Sequence, residues 1–259
     1  MVKVPEIPNQ TIVKEELISL VASYQLLPQL LREMIVEGAI ASISCTQEEV
    51  ATACQKFLQQ HQITNAATHE AWLKHYGMTH QQFQALATRK LRIEKFQQQT
   101  WGHKLESYFL GRKKYLDRVV YSMIRTQDPG VAQELYFRIQ AGEQSFGELA
   151  KTYSVGPEAY TNGIVGPVEM GTLHPDLARQ LQVSQPGQLW HPISFGEYFV
   201  IIRLEKLLPA QLNAFMRQRL LRELFEDWLQ EQIQQLPAFD QAWLVSKRTI
   251  EQIKETSAA

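Results

Sequence analysis

Seven histidines, two cysteines and 27 acidic residues are the side chains from which a metal site, a nucleophile or an acid–base pair could be built. A zinc-protease helix needs two histidines one turn apart with a glutamate after the first, so that both imidazoles face one way and the acid activates water. His69-Glu70 supplies the first half of that pattern, and Leu73 stands where the second histidine belongs. His61, His75, His80 and His103 lie among Gln and Lys in helical text and, like His69, read as solvent-facing. His174 and His191 each precede a proline, which suits a turn. No Gly-x-Ser-x-Gly elbow, phosphate loop or Gly-x-Gly-x-x-Gly string occurs, so hydrolase, kinase and dehydrogenase readings have no motif behind them. On one continuous helix Cys45 and Cys54 would be about 13 Å apart along the axis, out of disulfide reach. Both read as small core residues, and neither a metal nor a cofactor is expected.

Composition narrows the classes further. With 26 basic against 27 acidic residues the chain is close to neutral, which argues against a nucleic-acid partner. A basic run from Arg89 through Lys90, Arg92, Lys95, Lys104, Arg112, Lys113 and Lys114 to Arg118 reads as a solvated face. About thirty glutamines suggest long polar helix faces built from amides. The longest apolar runs, such as Phe199–Ile202, fall far short of the ~20 residues that span a bilayer. No apolar leader core opens the sequence, so as written it reads as cytoplasmic, the periplasm being the alternative if a leader has been removed.

Three stretches must position whatever chemistry there is. Residues 11 to about 116 carry helical periodicity throughout: Leu17, Ile18, Val21 and Tyr24, then Leu30, Leu31, Met34 and Ile35 after Pro28. Capping boxes at Thr46 and Thr79 open two further helices, and Gly77 can end a short one between them. From Asp117 the texture changes. Arg118–Ile124 is a strand by composition, Asp128-Pro129 and Ser145-Phe146-Gly147-Glu148 start helices, and a Gly- and Pro-rich stretch leads to the strand Tyr198–Glu205. After Pro209, Leu212, Phe215, Met216, Leu220, Leu224, Trp228 and Leu229 mark one broad apolar helix face ending at Pro237, which must find a partner. The expected organisation is a helical domain over residues 1–116, an α+β unit of order β-α-α-(loop)-α-β-β over 117–207, and a C-terminal helical segment, 208–259, packing back on the first.

The α+β stretch carries a specific signal. Ala141-Gly142-Glu143-Gln144-Ser145-Phe146-Gly147-Glu148-Leu149-Ala150-Lys151-Thr152-Tyr153-Ser154 resembles the helix, Gly, Phe-x-x-Leu-Ala-x-x-Tyr-Ser core of parvulin-type (PpiC-like) peptidyl-prolyl isomerases. Gly163-Ile164-Val165-Gly166-Pro167, Leu173-His174-Pro175-Asp176-Leu177 and Gln185-Pro186-Gly187 through Pro192-Ile193 follow in the family's order. The flanking helices are similar to those of SurA-like chaperones, in which N- and C-terminal helices form one peptide-binding domain around a parvulin unit.

The resemblance also exposes departures. The family's first-strand histidine falls on or next to Ser122, Tyr198-Phe199 stand at its second histidine, and the Asp or Cys expected after Tyr153-Ser154 is missing. Leu173 and Leu177 correspond to the apolar residues that grip proline. The resemblance therefore implies a chaperone that binds unfolded or extended polypeptide, its isomerase activity weak or absent, through a groove of Tyr121, Met123, Leu173, Leu177, Trp190 and Phe199. Strand alternation sets Tyr121 and Met123 on one face and Ser122 on the other. A second reading is an active isomerase with a re-sited set of groups, Ser122, Tyr160 and Tyr198. A third is an accessory subunit of a secretion or maturation machine.

Overall fold

The computed structural model describes residues 20–235. Leu17, Ile18 and Pro237 lie outside them. Local chemistry sets most helix starts. Pro28 stands in the first turn of α1 (Leu27–Ile40). Thr46 opens α2 (Gln47–Gln60): its hydroxyl accepts the Glu49 N–H at 3.2 Å, and its own N–H donates to the Glu49 carboxylate at 2.7 Å. Asn65 and Thr79 form the same reciprocal caps for α3 (Ala66–Tyr76) and α4 (His80–Trp101). Gly77 ends α3 at φ 61°, a left-handed conformation that costs a residue without Cβ little.

Two units divide the chain. The first takes the residues up to His103 together with those from Gln218 onward, and the second is Lys104–Arg217. In the first, Val36 and Ile40 of α1 bury against Phe225 and Leu229 of the long helix α9 (Ala214–Gln235), with Phe96 and Trp101 of α4 packed beside them. The buried stripe of α9 is Leu220, Leu221, Phe225 and Leu229, while Phe215, expected on the apolar face, is 68% exposed. Helix α5 (Leu105–Leu116) is grouped with the second unit, about a dozen residues earlier than the change of sequence texture at Asp117.

Some side chains depart from their expected settings. His61 is exposed as expected, stacking on Phe57 with ring centroids 4.2 Å apart, but His69 meets Phe83 edge-on at 4.6 Å with its Nε2 buried. A short helix leaves a small interior here, and the flat His69 imidazole helps to fill it. Cys45 and Cys54 are both free and only half-buried. At least four of the nine residues of the basic run are ion-paired: Arg89 with Glu33 and Glu37, Arg92 with Glu37, Lys95 with Glu49, and Lys113 with Asp117.

The second unit is built on an antiparallel sheet of order β2-β1-β4-β3, comprising β1 (Arg118–Thr126), β2 (Ile164–Glu169), β3 (Ile193–Phe195) and β4 (Tyr198–Leu208). Strand β2 lies within the stretch expected to be loop. Gly166 and Pro167 read as punctuation in the sequence, but β2 is an edge strand pairing only with β1, where proline is tolerated. Gly166 lies at φ 113°, and a Cβ there would come within 2.5 Å of the Val119 carbonyl oxygen.

One sheet face is covered by α6 (Pro129–Gln140) and α7 (Phe146–Tyr153), which bury Leu135, Tyr136, Phe146 and Leu149 against Ile124 and Ile201. The other packs Tyr121, Met123, Val200 and Ile202 against Met170 and against Leu177 and Leu181 of α8 (Pro175–Gln182).

Candidate active site

On the α8 side the sheet is not fully covered. A groove of about 230 Å³ opens there, with Tyr121, Met123 and Arg125 of β1, Ile193 and Phe195 of β3, and Tyr198 and Val200 of β4 as its floor. Register explains the convergence: Arg125 pairs with Val200, Val200 with Ile193, and Tyr198 with Phe195, so alternate residues of three strands share one face. Thr172, Leu173, His174 and Leu177 form the wall. His174 caps α8, its Nδ1 accepting the Asp176 N–H at 3.3 Å, and its ring meets Phe195 edge-on at 4.5 Å.

Beneath Arg125 lies a polar cluster. Glu158 is 3% exposed, accepts from the Ser154 hydroxyl at 2.6 Å, and accepts from the Arg125 guanidinium at 3.3 Å. The Ser154 hydroxyl in turn accepts the Arg125 backbone N–H at 3.0 Å. The guanidinium carbon lies 5.6 Å from the centroid of the Tyr198 ring. Burial, reinforced by the negative charge of Glu158 and partly offset by Arg125, pushes the Tyr121 phenol above its ordinary range. That phenol stays protonated at neutral pH and remains a hydrogen-bond donor.

Of the six residues expected to bind peptide, Tyr121, Met123, Leu173 and Leu177 border the groove. Trp190 packs against the same core, its indole N–H donating to Ser184 at 2.7 Å, but does not line the groove. Phe199, between Tyr198 and Val200, faces the other side of the sheet. The three polar candidates are also separated. Tyr198 lines the groove, Ser122 is buried on the opposite face with its hydroxyl donating to Glu205 at 2.5 Å, and Tyr160 is 93% exposed on the short turn Pro157–Thr161.

Arg125 and Glu158 are absent from the sequence-derived set. Arg125 continues the alternation of Tyr121 and Met123 and could have been found from it. Glu158 carries no local signal, being one acid in Gly- and Pro-rich text. No nucleophile–base pair borders the groove, and among the described residues no group of three His, Cys, Asp or Glu side chains could hold a metal. What the groove offers is an apolar cleft with two phenols, Tyr121 and Tyr198, on its floor.

The family model for the PPIC-type PPIase domain of the rotamases matches residues 129–206. Those residues form a parvulin-like rotamase domain. The matched span supplies β2, β3, most of β4 and three α-helices, while β1, with three of the seven floor residues, lies just before it. Among solved structures, the peptidylprolyl isomerase PrsA from Bacillus anthracis is 20% identical, the alignment covering 86% of this chain and 97% of that one, with a TM-score of 0.40. PrsA from Bacillus cereus is 18% identical over 96% and 91%, with a TM-score of 0.44. The parvulin domain of PpiD from E. coli is 28% identical over 38% of this chain and 95% of its own, with a TM-score of 0.33. At such scores these likenesses carry no argument, and the assignment of the rotamase domain rests on the family model. No curated protein matches the chain significantly. Among the described residues no helix is long and apolar enough to cross a membrane.

Proposed function

We propose that the rotamase domain binds an extended, proline-containing segment of a client polypeptide, and that the chain acts as a foldase whose isomerase activity is weak. The carrying observation is the groove itself. Its roughly 230 Å³ is below the ~300–1,000 Å³ of most small-molecule sites. That space suits one side chain of a longer chain better than a free metabolite.

Magnitudes favour weak turnover. Rotation about a peptide bond meets a barrier of about 18–20 kcal/mol, and catalysis requires the twisted amide to be held better than either planar form. Tyr121 and Tyr198 are the phenol donors at the groove. Two such hydrogen bonds made only to the twisted form contribute about 0.5–1.5 kcal/mol each. At 1.36 kcal/mol per decade that is roughly 5- to 150-fold, far below the ~10⁶-fold at which typical enzymes begin. Binding therefore dominates chemistry on this reading.

A second reading, an active isomerase with relocated groups, has a specific observation behind it. Tyr121, Tyr198 and Arg125, the last paired with the buried Glu158, meet at one groove. An isomerisation assay on short Xaa-Pro peptides separates the two. Acceleration within two decades, largely removed by Tyr198→Phe with Tyr121→Phe, fits the first. Acceleration of several decades establishes the second, and failure of proline peptides to bind sinks both.

The helical unit suits client binding as well. A cleft of about 660 Å³ between α2 and α4 exposes Phe57, Leu86 and Leu91 between Lys56, Lys90, Glu48 and Glu94. Suppression of aggregation of an unfolded test protein by the full chain, weakened by Leu86→Glu, is the expected result.

A further inference from the structure

Beyond Leu173 the surface of the rotamase unit dips a second time. This depression, of about 360 Å³, lies between α5 and α8, and Leu173 is a wall of both it and the groove. Met170 and Gly171 of the turn Met170–Thr172 line it. A Cβ on Gly171 would sit 3.1 Å from the Tyr115 carbonyl oxygen, so the turn packs closely on α5.

Two cations, Lys114 and Arg179, line the depression, and no carboxylate does. The Lys114 ammonium lies 4.9 Å from the centroid of the half-exposed Tyr115 ring, and among the described residues it meets no carboxylate. The neighbouring Lys113, by contrast, is neutralised by Asp117 at 2.7 Å. Arg179 reaches Asp176 at 3.2 Å, but its side chain remains 75% exposed. A shallow site with surplus positive charge thus continues the apolar groove.

We propose that a polypeptide held in the groove runs over Leu173 and places an acidic side chain between Lys114 and Arg179, so that the chain selects prolines flanked on one side by Asp or Glu. This rests on the reading of the groove as a peptide site. An extended chain advances ~3.3 Å per residue, so the acid falls within the first few positions from the proline. Exposed ion pairs are individually modest. Two together should give about three- to tenfold tighter binding at low salt, and less when salt shortens the screening length.

The test uses the full chain and fluorescein-labelled alanine-rich peptides with one central proline, Glu or Gln being moved through the flanking positions. Anisotropy is read at about 20 mM and about 500 mM salt. The expected result is a Glu-over-Gln preference on one side of proline, falling towards one at high salt and in the Lys114→Gln/Arg179→Gln variant. The Lys114→Glu/Arg179→Glu variant should reverse it in favour of Lys peptides. Equal affinity for Glu and Gln peptides at every position overturns the acidic subsite and leaves the groove reading intact. A preference that survives the double Gln variant overturns it too, because the charge is then read elsewhere. Failure of every peptide to bind overturns both.

Discussion

Each face of the rotamase sheet carries a cluster of the same three residue types. On the face beneath α6 and α7, Glu205 accepts from Ser122 at 2.5 Å and from Arg203 at 2.7 Å, and the Arg203 guanidinium lies 5.0 Å from the Phe146 ring centroid. On the α8 face, Glu158 accepts from Ser154 at 2.6 Å and from Arg125 at 3.3 Å, and the Arg125 guanidinium lies 5.6 Å from the Tyr198 ring centroid. The chemistry is nearly the same, and the arginines are equally exposed at 31%, with Glu205 at 29% and Glu158 at 1%. What lies beside each differs: Arg203 leans on Phe146 of α7, whereas Arg125 borders an apolar groove. Neither residue type nor exposure makes a site here; the apolar groove beside the second cluster does.

That contrast can be broken experimentally, beginning with the largest effect. Ile201 is fully buried beneath α6 and α7, so Ile201→Ala should lower the unfolding free energy by about 2–5 kcal/mol. Urea denaturation measures the loss, and peptide affinity per folded molecule should not change. A variant that also loses peptide affinity would show that the two faces are coupled. Next, Glu158→Ala leaves the Arg125 guanidinium and the Ser154 hydroxyl without their buried acceptor. Full loss of a buried pair costs about 3–5 kcal/mol. Because Arg125 is 31% exposed, roughly 2–3 kcal/mol is expected, and here peptide affinity should fall as well.

Smaller effects sharpen the comparison. Ser122→Ala removes one donor from the cluster on the α6–α7 face and should cost about 0.5–1.5 kcal/mol of stability with no change in peptide binding. Tyr198→Phe should do the reverse, weakening proline-peptide binding by roughly 2- to 10-fold with almost no shift in the denaturation midpoint. If Ser122→Ala weakened binding more than Tyr198→Phe, the assignment of the open face as the site would be wrong.

The two faces should also respond to opposite ends of the pH scale. Tyr121, on the groove face, has its phenol pushed up chiefly by burial. Its contribution is present below the unfolded value near 10 and is lost as pH rises through the higher folded value. Glu148 caps α7 on the covered face, and its hydrogen bonds with Ser145 hold its carboxyl below the usual range. That contribution is present above the unfolded value near 4.5 and disappears as pH falls through the lower folded value. Circular dichroism against pH should show an alkaline limb weakened by Tyr121→Phe and an acid limb weakened by Glu148→Gln.

Short-range features are legible in the sequence. The boxes at Thr46, Thr79 and Ser145 are closed by partners three residues away, so one turn of residues is enough to state them. Alternation likewise separates Tyr121 and Met123 from Ser122. Strand β2 is obscured because its Gly166-Pro167 pair suits an edge strand as well as a loop. The exposed Phe215 and the buried Leu221 show the same limit on α9, where a broad apolar stripe does not say which edge meets a neighbour.

Helix starts, the strand residues that share a face, and the succession of a helical stretch and a parvulin-like unit thus follow from the order of residues alone. They depend on spacings of two to four residues and on an ordered set of motifs. Only long-range packing decides which sheet face stays open, that Glu158 folds under Arg125 from 33 residues away, and that Tyr198 but neither Ser122 nor Tyr160 reaches the groove. Those outcomes depend on where α7 and α8 come to rest on the sheet. Access is settled by contacts between distant segments, and no local pattern encodes it.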